Sequence, residues 1–188
     1  MNTAIQTKYD GIEYRSRLEA RWAAFMRRIG WEFTYEPFDG DGYIPDFIVH
    51  GARPLFIEVK PAITRLEYYE PFKKVSEGLK YWDHTFFIVG ASPIAHGFDK
   101  FAGILGFVPD SDVQHKPDYV TSLNARDESV AWWGWCQNCL LTTPIGLGHD
   151  ITEICQHDRD NCALVPEKGL KIVWDKACND VKWKGAAQ

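Results

Sequence analysis

The chain has 188 residues, a formal net charge of −5 and a hydrophobic share of 45%, which predicts one core-forming domain, or one domain with a small appendage. The negative charge argues against a protein held on nucleic acid by bulk charge alone, although bound cations reverse the sign locally where carboxylates bind metal. No apolar run follows the first Met and none is long enough to cross a bilayer, so we expect a soluble, intracellular protein with no membrane partner.

The first periodic segment, residues 15–29, predicts an amphipathic helix. Leu18, Trp22 and Ile29 belong to a set of apolar residues that recur at three- and four-residue spacing and form one stripe. At about 100° per residue, Glu19 lies on the flank of that stripe rather than on the solvent side. A carboxylate at the edge of a buried stripe is therefore a candidate for a functional site.

Five further elements are predicted before residue 90. They are three strands, one helix and a last strand, over residues 31–35, 43–49, 55–60, 64–81 and 85–89. The short loop around Gly51 joins the second and third strands, which predicts a β-hairpin. Pro71 interrupts the predicted helix. The order helix, three strands, helix, strand predicts an α/β core around a central sheet.

Asp46, Glu58 and Lys60 occupy positions that this hairpin would bring together. Alternate residues of a strand share a face, so Glu58 and Lys60 point the same way. A hairpin tip near residues 51–53 sets Asp46 opposite Glu58, or one residue away. Like charges at opposite positions destabilise a hairpin, and a divalent cation between the two carboxylates would remove that cost. A few oxygen ligands completed by water and substrate phosphate suit Mg²⁺.

Two further side chains complete the candidate site. Lys60 could hold the scissile phosphate or help to activate the attacking water, and Glu19 could bring a third carboxylate from the first helix. An Asp followed by Glu-x-Lys is common by chance as surface charge. Here the second strand is apolar immediately before Glu58, and a helix with a flanking carboxylate precedes both strands, which favours the catalytic interpretation.

Pro45-Asp46 followed by Glu58-Val59-Lys60 resembles the motif of the PD-(D/E)XK, or restriction-endonuclease-like, nuclease superfamily. Residues 14–22, followed by Tyr35-Glu36-Pro37, resemble small nucleases of that superfamily from phages and mobile elements. The resemblance covers roughly residues 9–90.

The resemblance implies an αβββαβ core with a mixed central sheet, Mg²⁺ or Mn²⁺ as cofactor, and hydrolysis of DNA phosphodiester bonds. By position, Asp46 and Glu58 would be the principal metal ligands, and Lys60 the phosphate-contacting or water-activating residue. Glu19 would be the acidic residue of the first helix. The resemblance further implies a cytoplasmic location, in a bacterial host or a phage-infected cell.

Past about residue 107 the composition changes. Residues 109–124 are polar and predict a connector, so we expect a nuclease core over residues 1–124 and a small Cys-rich module over residues 125–188. Three tryptophans precede its cysteines, and we expect them to pack in the interior rather than to stack on bases: Trp132, Trp133 and Trp135.

The module contains four clustered cysteines. Cys136 and Cys139 form a C-x-x-C pair, a spacing at which two thiolates can bind one Zn²⁺. Cys155 and Cys162 would complete a four-thiolate site, with His157 as the alternative ligand in the second pair. Unligated thiols or a redox pair are the competing interpretations, although no βαβ pattern of the redox type accompanies the motif.

The function predicted from these patterns is a metal-dependent DNA endonuclease. DNA is preferred to RNA on the resemblance, because nothing in the sequence indicates recognition of a 2′-hydroxyl. Two alternatives from other classes remain at this point: a nucleic-acid-binding protein without catalytic activity, and a protein that contacts a host enzyme through its zinc module. The oligomeric state is open, with a homodimer as one option.

Overall fold

The computed structural model describes residues 4–39, 43–51, 54–79, 85–94, 103–107, 128–146, 154–155, 157 and 159–182. Three helices lie within these residues: α1 Arg17–Arg28, α2 Tyr69–Gly78 and α3 Glu167–Asp180. Ten strands accompany them: β1 Thr7–Tyr9, β2 Ile12–Tyr14, β3 Phe33–Tyr35, β4 Phe47–His50, β5 Pro54–Val59, β6 Thr85–Val89, β7 Gly103–Phe107, β8 Glu128–Cys136, β9 Thr142–Gly146 and β10 Cys162–Leu164. None of the helices in the described part of the chain is long and apolar enough to span a membrane.

The elements predicted before residue 90 are present, with shorter bounds. Helix α1 begins at Arg17 because Ser16 caps it: the Ser16 hydroxyl accepts a hydrogen bond from the Glu19 N–H at 3.1 Å. Pro71 does not interrupt α2 but lies in its first turn, where the missing N–H has no intrahelical partner to lose. A 3₁₀ turn, Arg65–Tyr68, precedes that helix.

A mixed sheet forms the centre of the molecule. The described strands follow the order β10-β8-β7-β6-β5-β4-β3, and β9 pairs with β8 outside this path. Strands β5 and β6 are parallel, whereas the other neighbours are antiparallel. This confirms the predicted mixed α/β class, and β4 and β5 form the predicted hairpin.

Six strands were not predicted: β1, β2, β7, β8, β9 and β10. Strands β1 and β2 form a hairpin around Asp10 and Gly11, whose positive φ values of 48° and 81° match the mirror-image two-residue turn that Asp-Gly favours. That signal was available in the sequence. Strands β8, β9 and β10 extend the central sheet, so the described residues after 127 share a sheet with those before 108. The connector predicted at residues 109–124 and the boundary at 124/125 lie outside the described residues.

The sheet is covered on both faces. On one face, helices α1 and α3 contribute to an aromatic cluster in which Trp22 lies 5.1 Å from Trp174 and Phe25 lies 5.4 Å from Trp133, between ring centroids. On the other face, α2 packs Phe72 and its neighbours against β6. Trp133 is buried, as predicted for interior packing, whereas Trp135 is 42% exposed, so the prediction was wrong for that residue. The prediction for the Trp132 side chain lies outside what the structure describes.

Gly90 follows β6 and lies between the two core clusters that cover opposite faces of the sheet. Its carbonyl accepts a hydrogen bond from the Trp22 indole at 2.8 Å, and a Cβ added there would overlap the Tyr68 hydroxyl and the Ala62 carbonyl. We expect Gly90→Ala to lower the free energy of unfolding by about 3 kcal/mol, because the backbone around it has no room to yield.

Gly169→Ala is the matched control for that substitution. Gly169 lies in helix α3, and the nearest atom to an added Cβ there is Val165 Cγ1 at 4.0 Å. The substitution Gly169→Ala should therefore stabilise the protein by about 0.5–1 kcal/mol, because alanine has a higher helix propensity than glycine. Urea denaturation of both variants measures the two effects, and equal stabilities would contradict this packing at Gly90.

Candidate functional site

The predicted hairpin brings the candidate residues to one end of the sheet. Phe47 pairs with Ile57, so continuing that register sets Asp46 across from Glu58, as predicted from the sequence. Both carboxylates are buried, each with 4% of the residue exposed. The Asp46 Oδ2 atom accepts a hydrogen bond from the Val59 N–H at 2.7 Å, which fixes the carboxylate against β5.

Asp46 has an unusual electrostatic environment. Burial raises the pKa of Asp46 to about 7, with the negative charge of Glu58 adding to the effect, while Lys60 and the Val59 N–H act in the opposite direction. Its other oxygen, Oδ1, contacts Arg15 Nη2 at 2.6 Å. A cation bound beside this buried carboxylate would favour its ionised form and offset the effect of burial.

Glu58 is held by two partners of different kinds. Lys60 Nζ lies 2.5 Å from Glu58 Oε1, and the Tyr43 hydroxyl donates to Oε2 at 2.7 Å. Burial, together with the charge of Glu58, raises the pKa of Tyr43, so this hydroxyl stays protonated and remains a donor. Glu58 and Lys60 thus share a face, as the alternation of the strand predicted.

Glu19 reaches the same end of the sheet from the first turn of α1. Ser16 Oγ donates to Glu19 Oε1 at 2.7 Å, and the Tyr35 hydroxyl donates to Oε2 at 2.6 Å. The Tyr35 oxygen in turn accepts a hydrogen bond from the Arg15 backbone N–H at 3.0 Å. Glu19 also adds to the negative field that raises the pKa of Asp46, after burial and Glu58. The first-helix carboxylate therefore belongs to the same electrostatic unit.

The carboxylates of Glu19, Asp46 and Glu58 lie at the same end of the sheet but do not converge on one point. Among the described residues, a group of three or more acidic, histidine or cysteine side chains with all ligand atoms within 4.8 Å of one another is found elsewhere, and it does not include these carboxylates. Each carboxylate instead has its own donor: a cation for Asp46 and for Glu58, and hydroxyls for Glu19. The donor set still fits a hard divalent cation, because buried carboxylates on neighbouring strands are the oxygen ligands that Mg²⁺ and Mn²⁺ accept.

Sequence reasoning missed three members of this site. Arg15, Tyr35 and Tyr43 each bond a candidate ligand or its neighbour, and none was assigned a role from the sequence. Arg15 precedes the Ser16 cap, and Tyr35 precedes Glu36 in the stretch that resembles small nucleases. Their positions beside the motif were visible, whereas their contacts depend on how β3 lies against α1.

The second cluster lies at the β8–β9 turn. Cys136, Cys139, Cys155 and His157 present ligand atoms that all lie within 4.8 Å of one another, so the group could hold a metal ion. The Cys136 Sγ atom lies 3.4 Å from His157 Nδ1. The chain turns sharply after the first cysteine: the Leu140 N–H donates to the Cys136 carbonyl at 2.8 Å, and Leu140 has a positive φ of 63°.

The environment of Cys136 lowers the pKa of its thiol. Burial would raise its pKa, but hydrogen bonds from the backbone N–H groups of Cys139 and Asn138 outweigh it and lower the pKa of Cys136 to about 6. Burial and the neighbouring thiols raise the pKa of Cys139 to about 11. A bound metal ion would stabilise the thiolate form of its cysteine ligands, since metal ligation deprotonates thiols.

Cys162 differs from the sequence expectation, because it is not part of the compact group. It lies on β10 directly across from Cys136 on β8, and Cys155 and His157 provide the second pair instead. The strand pairing fixes Cys162 beside the site, while the segment before β10 brings the other two residues to the turn. All five cysteines of the chain lie in described residues, and none of them forms a disulfide.

Comparison of the chain with family models, with curated proteins and with solved structures gives no match.

Proposed function

We propose that this chain is a metal-dependent DNA endonuclease of the PD-(D/E)XK type, with Glu19, Asp46, Glu58 and Lys60 as its active site. The observation that carries the proposal is the pair Asp46 and Glu58: two buried carboxylates on neighbouring strands, with Lys60 beside them and the pKa of Asp46 raised to about 7. Two buried acids cost stability, and a cation-binding role accounts for that cost.

The order of elements supports the same proposal. Along the first part of the chain α1, β3, β4, β5, α2 and β6 follow one another, which is the αβββαβ order that the resemblance implies. The candidate side chains come from α1, from the start of β4 and from the end of β5. The choice of DNA as substrate rests on the resemblance.

Each residue has a distinct role in the proposed reaction. A Mg²⁺ or Mn²⁺ ion, when bound, supplies charge for the phosphodiester oxygens and lowers the pKa of an attacking water. Asp46 and Glu58 hold that ion, and Glu19 adds negative charge from α1. Lys60 exchanges its contact with Glu58 for one with the scissile phosphate or the attacking water. Tyr43 keeps Glu58 in place while Lys60 moves.

Cleavage of supercoiled plasmid tests this function. A circular substrate has no ends, so nicked or linear product in Mg²⁺ or Mn²⁺ identifies an endonuclease. We expect product with either ion and none in the presence of EDTA. Intact plasmid under every divalent-ion condition would contradict the proposed function and favour a binding protein without catalytic activity.

Lys60→Ala should separate metal binding from turnover. Because Lys60 is proposed to act on phosphate rather than on the metal, we expect cleavage to fall by about 10³-fold or more, as for loss of a group that stabilises transition-state charge. Removing a cation beside Glu58 should leave Mn²⁺ affinity equal or higher. Calorimetric titration with Mn²⁺ checks this, and loss of metal binding with turnover retained would assign the opposite role.

We also propose that Cys136, Cys139, Cys155 and His157 bind a structural Zn²⁺. The group supports this because three sulfur ligands and one imidazole match a closed tetrahedral zinc site. The C-x-x-C turn joins β8 to β9, and β10 pairs with β8. A metal here would tie together three strands at one edge of the central sheet.

A further inference from the structure

Arg15 lies beside Asp46 in the position of a counter-ion. Its guanidinium spans two acids, with Nη2 2.6 Å from Asp46 Oδ1 and Nε 2.6 Å from Glu36 Oε1. The Arg15 side chain is 52% exposed, whereas that of Asp46 is only 5% exposed. The arginine therefore reaches a buried carboxylate from the open side of the site.

The backbone and the side chain of Arg15 are held by different partners. Its backbone N–H donates to the Tyr35 hydroxyl, which itself donates to Glu19. The guanidinium also has Glu36, a second acid with a side chain one-third exposed. If Arg15 leaves Asp46, its main chain and one side-chain contact can remain, so the guanidinium stays at the site.

The local charges determine what the site attracts first. Four carboxylates are accompanied by two side-chain cations: Glu19, Glu36, Asp46 and Glu58 with Arg15 and Lys60. This surplus of negative charge attracts a divalent cation and repels a phosphodiester. Substrate binding therefore depends on a prior change in the charge of the site.

We propose that Arg15 neutralises Asp46 in the metal-free protein, gives up that contact when the catalytic cation binds, and then binds a substrate phosphate. This inference rests on the proposed nuclease function. Two cations on one carboxylate oxygen repel each other, so cation binding at Asp46 weakens the arginine contact. A guanidinium freed in this way has the planar set of donors that pairs with phosphate oxygens. Arg15 thus couples metal loading to binding of the nucleic acid.

Arg15→Gln tests the coupling through metal affinity, without reference to activity. Loss of a competing half-exposed ion pair should tighten Mn²⁺ binding about fivefold in calorimetric titration. The rise in melting temperature on adding Mn²⁺ should be correspondingly larger than in wild type. In the same variant, kcat/KM for DNA cleavage should fall about tenfold or more, since a charge-assisted contact with phosphate is lost.

Two further variants control for charge and for folding. Arg17→Gln removes the same charge two residues away, and among the described residues Arg17 has no ion pair with Glu36, Asp46 or Glu58; its Mn²⁺ affinity should match wild type. Arg15→Lys keeps the charge but loses the planar fork, so metal affinity should stay near wild type while cleavage falls.

The outcomes separate this inference from the function on which it rests. If the wild type binds no divalent cation and cuts no DNA, the proposed function and this inference are both overturned. If the wild type binds metal and cuts DNA but Arg15→Gln leaves Mn²⁺ affinity unchanged or weaker, only the inference is overturned. An Arg15→Lys variant with full cleavage activity would exclude the planar guanidinium as the group that binds the phosphate.

Discussion

Asp46→Asn is expected to abolish cleavage and at the same time to stabilise the metal-free protein. Asparagine keeps the oxygen that accepts from the Val59 N–H but removes a buried charge beside Glu58. It also removes the ion pair with Arg15, whose half-exposed guanidinium retains its contact with Glu36. Because burial and Glu58 raise the pKa of Asp46 to about 7, removing that charge should raise the free energy of unfolding at pH 8 by on the order of 2 kcal/mol. A residue whose charge weakens the fold that carries it is typical of a functional site.

The pH dependence of this stabilisation has a defined sign. The pKa of Asp46 rises from 3.8 to about 7 on folding, so between these values the folded chain binds more protons than the unfolded chain. The contribution of Asp46 to stability is therefore full below about pH 4 and lost as the pH rises through 7. Asparagine does not titrate, so the stability gap between variant and wild type should widen over this window.

Asp10→Asn provides the control for a change of carboxylate to amide. Asp10 is exposed, pairs with Arg27 and lies in the β1–β2 turn, where asparagine also tolerates its positive φ. We expect wild-type cleavage and no widening stability gap. Thermal unfolding from pH 4 to 8 with and without Mg²⁺ measures both effects. Cleavage by Asp46→Asn at the wild-type rate would refute the assignment of the site.

Cys136→Ser should cause the largest structural change of any single cysteine replacement. Cys136 is fully buried, belongs to the group that could hold a metal, and ends the strand that carries Trp133 into the core. If zinc binds there, its binding free energy contributes directly to folding. The variant should lose the metal and about 3 kcal/mol or more of stability, the range for breaking a buried polar network.

Elemental analysis and hydrogen exchange test this expectation together. Wild-type protein prepared without chelators should contain about one Zn²⁺ per chain. In Cys136→Ser, amide exchange should accelerate in β8, β9 and β10, while Mg²⁺ affinity at Asp46 should change little. Cys178→Ser is the control, since this thiol on α3 lies outside the group. Wild-type protein without zinc, with all thiols immediately reactive, would contradict the zinc site.

The hairpin that carries Asp46 and Glu58 was predictable because its information is local. Short apolar runs defined both strands, the short loop around Gly51 set the turn, and the register followed from counting residues to Asp46 and Glu58. The register of such a hairpin depends only on the segment of about twelve residues from Asp46 to Glu58. The central sheet around the hairpin followed from the order of the elements, and β5 and β6 are parallel, as the helix that connects them allows.

The partners of those carboxylates were not predictable, because they depend on long-range packing. The contact of Arg15 with Asp46 joins residues 31 positions apart and requires β3 to lie beside the start of α1. The place of His157 in the compact group has a similar origin, since it depends on the path of the segment before β10, while the pairing of β10 with β8 puts Cys162 directly across from Cys136. The spacing of residues along the chain does not reveal which distant strands pair with each other.

Cleavage in ¹⁸O-labelled water is the most direct test of the central claim, that metal bound by Asp46 and Glu58 directs water onto a phosphodiester bond. Wild-type protein with Mg²⁺ and a DNA duplex should give fragments whose new terminal phosphate carries one ¹⁸O atom by mass spectrometry. Glu58→Gln, which retains an acceptor for the Tyr43 hydroxyl, should give no product. Absence of cleavage by the wild type, or labelled product at an equal rate from Glu58→Gln, would contradict the claim.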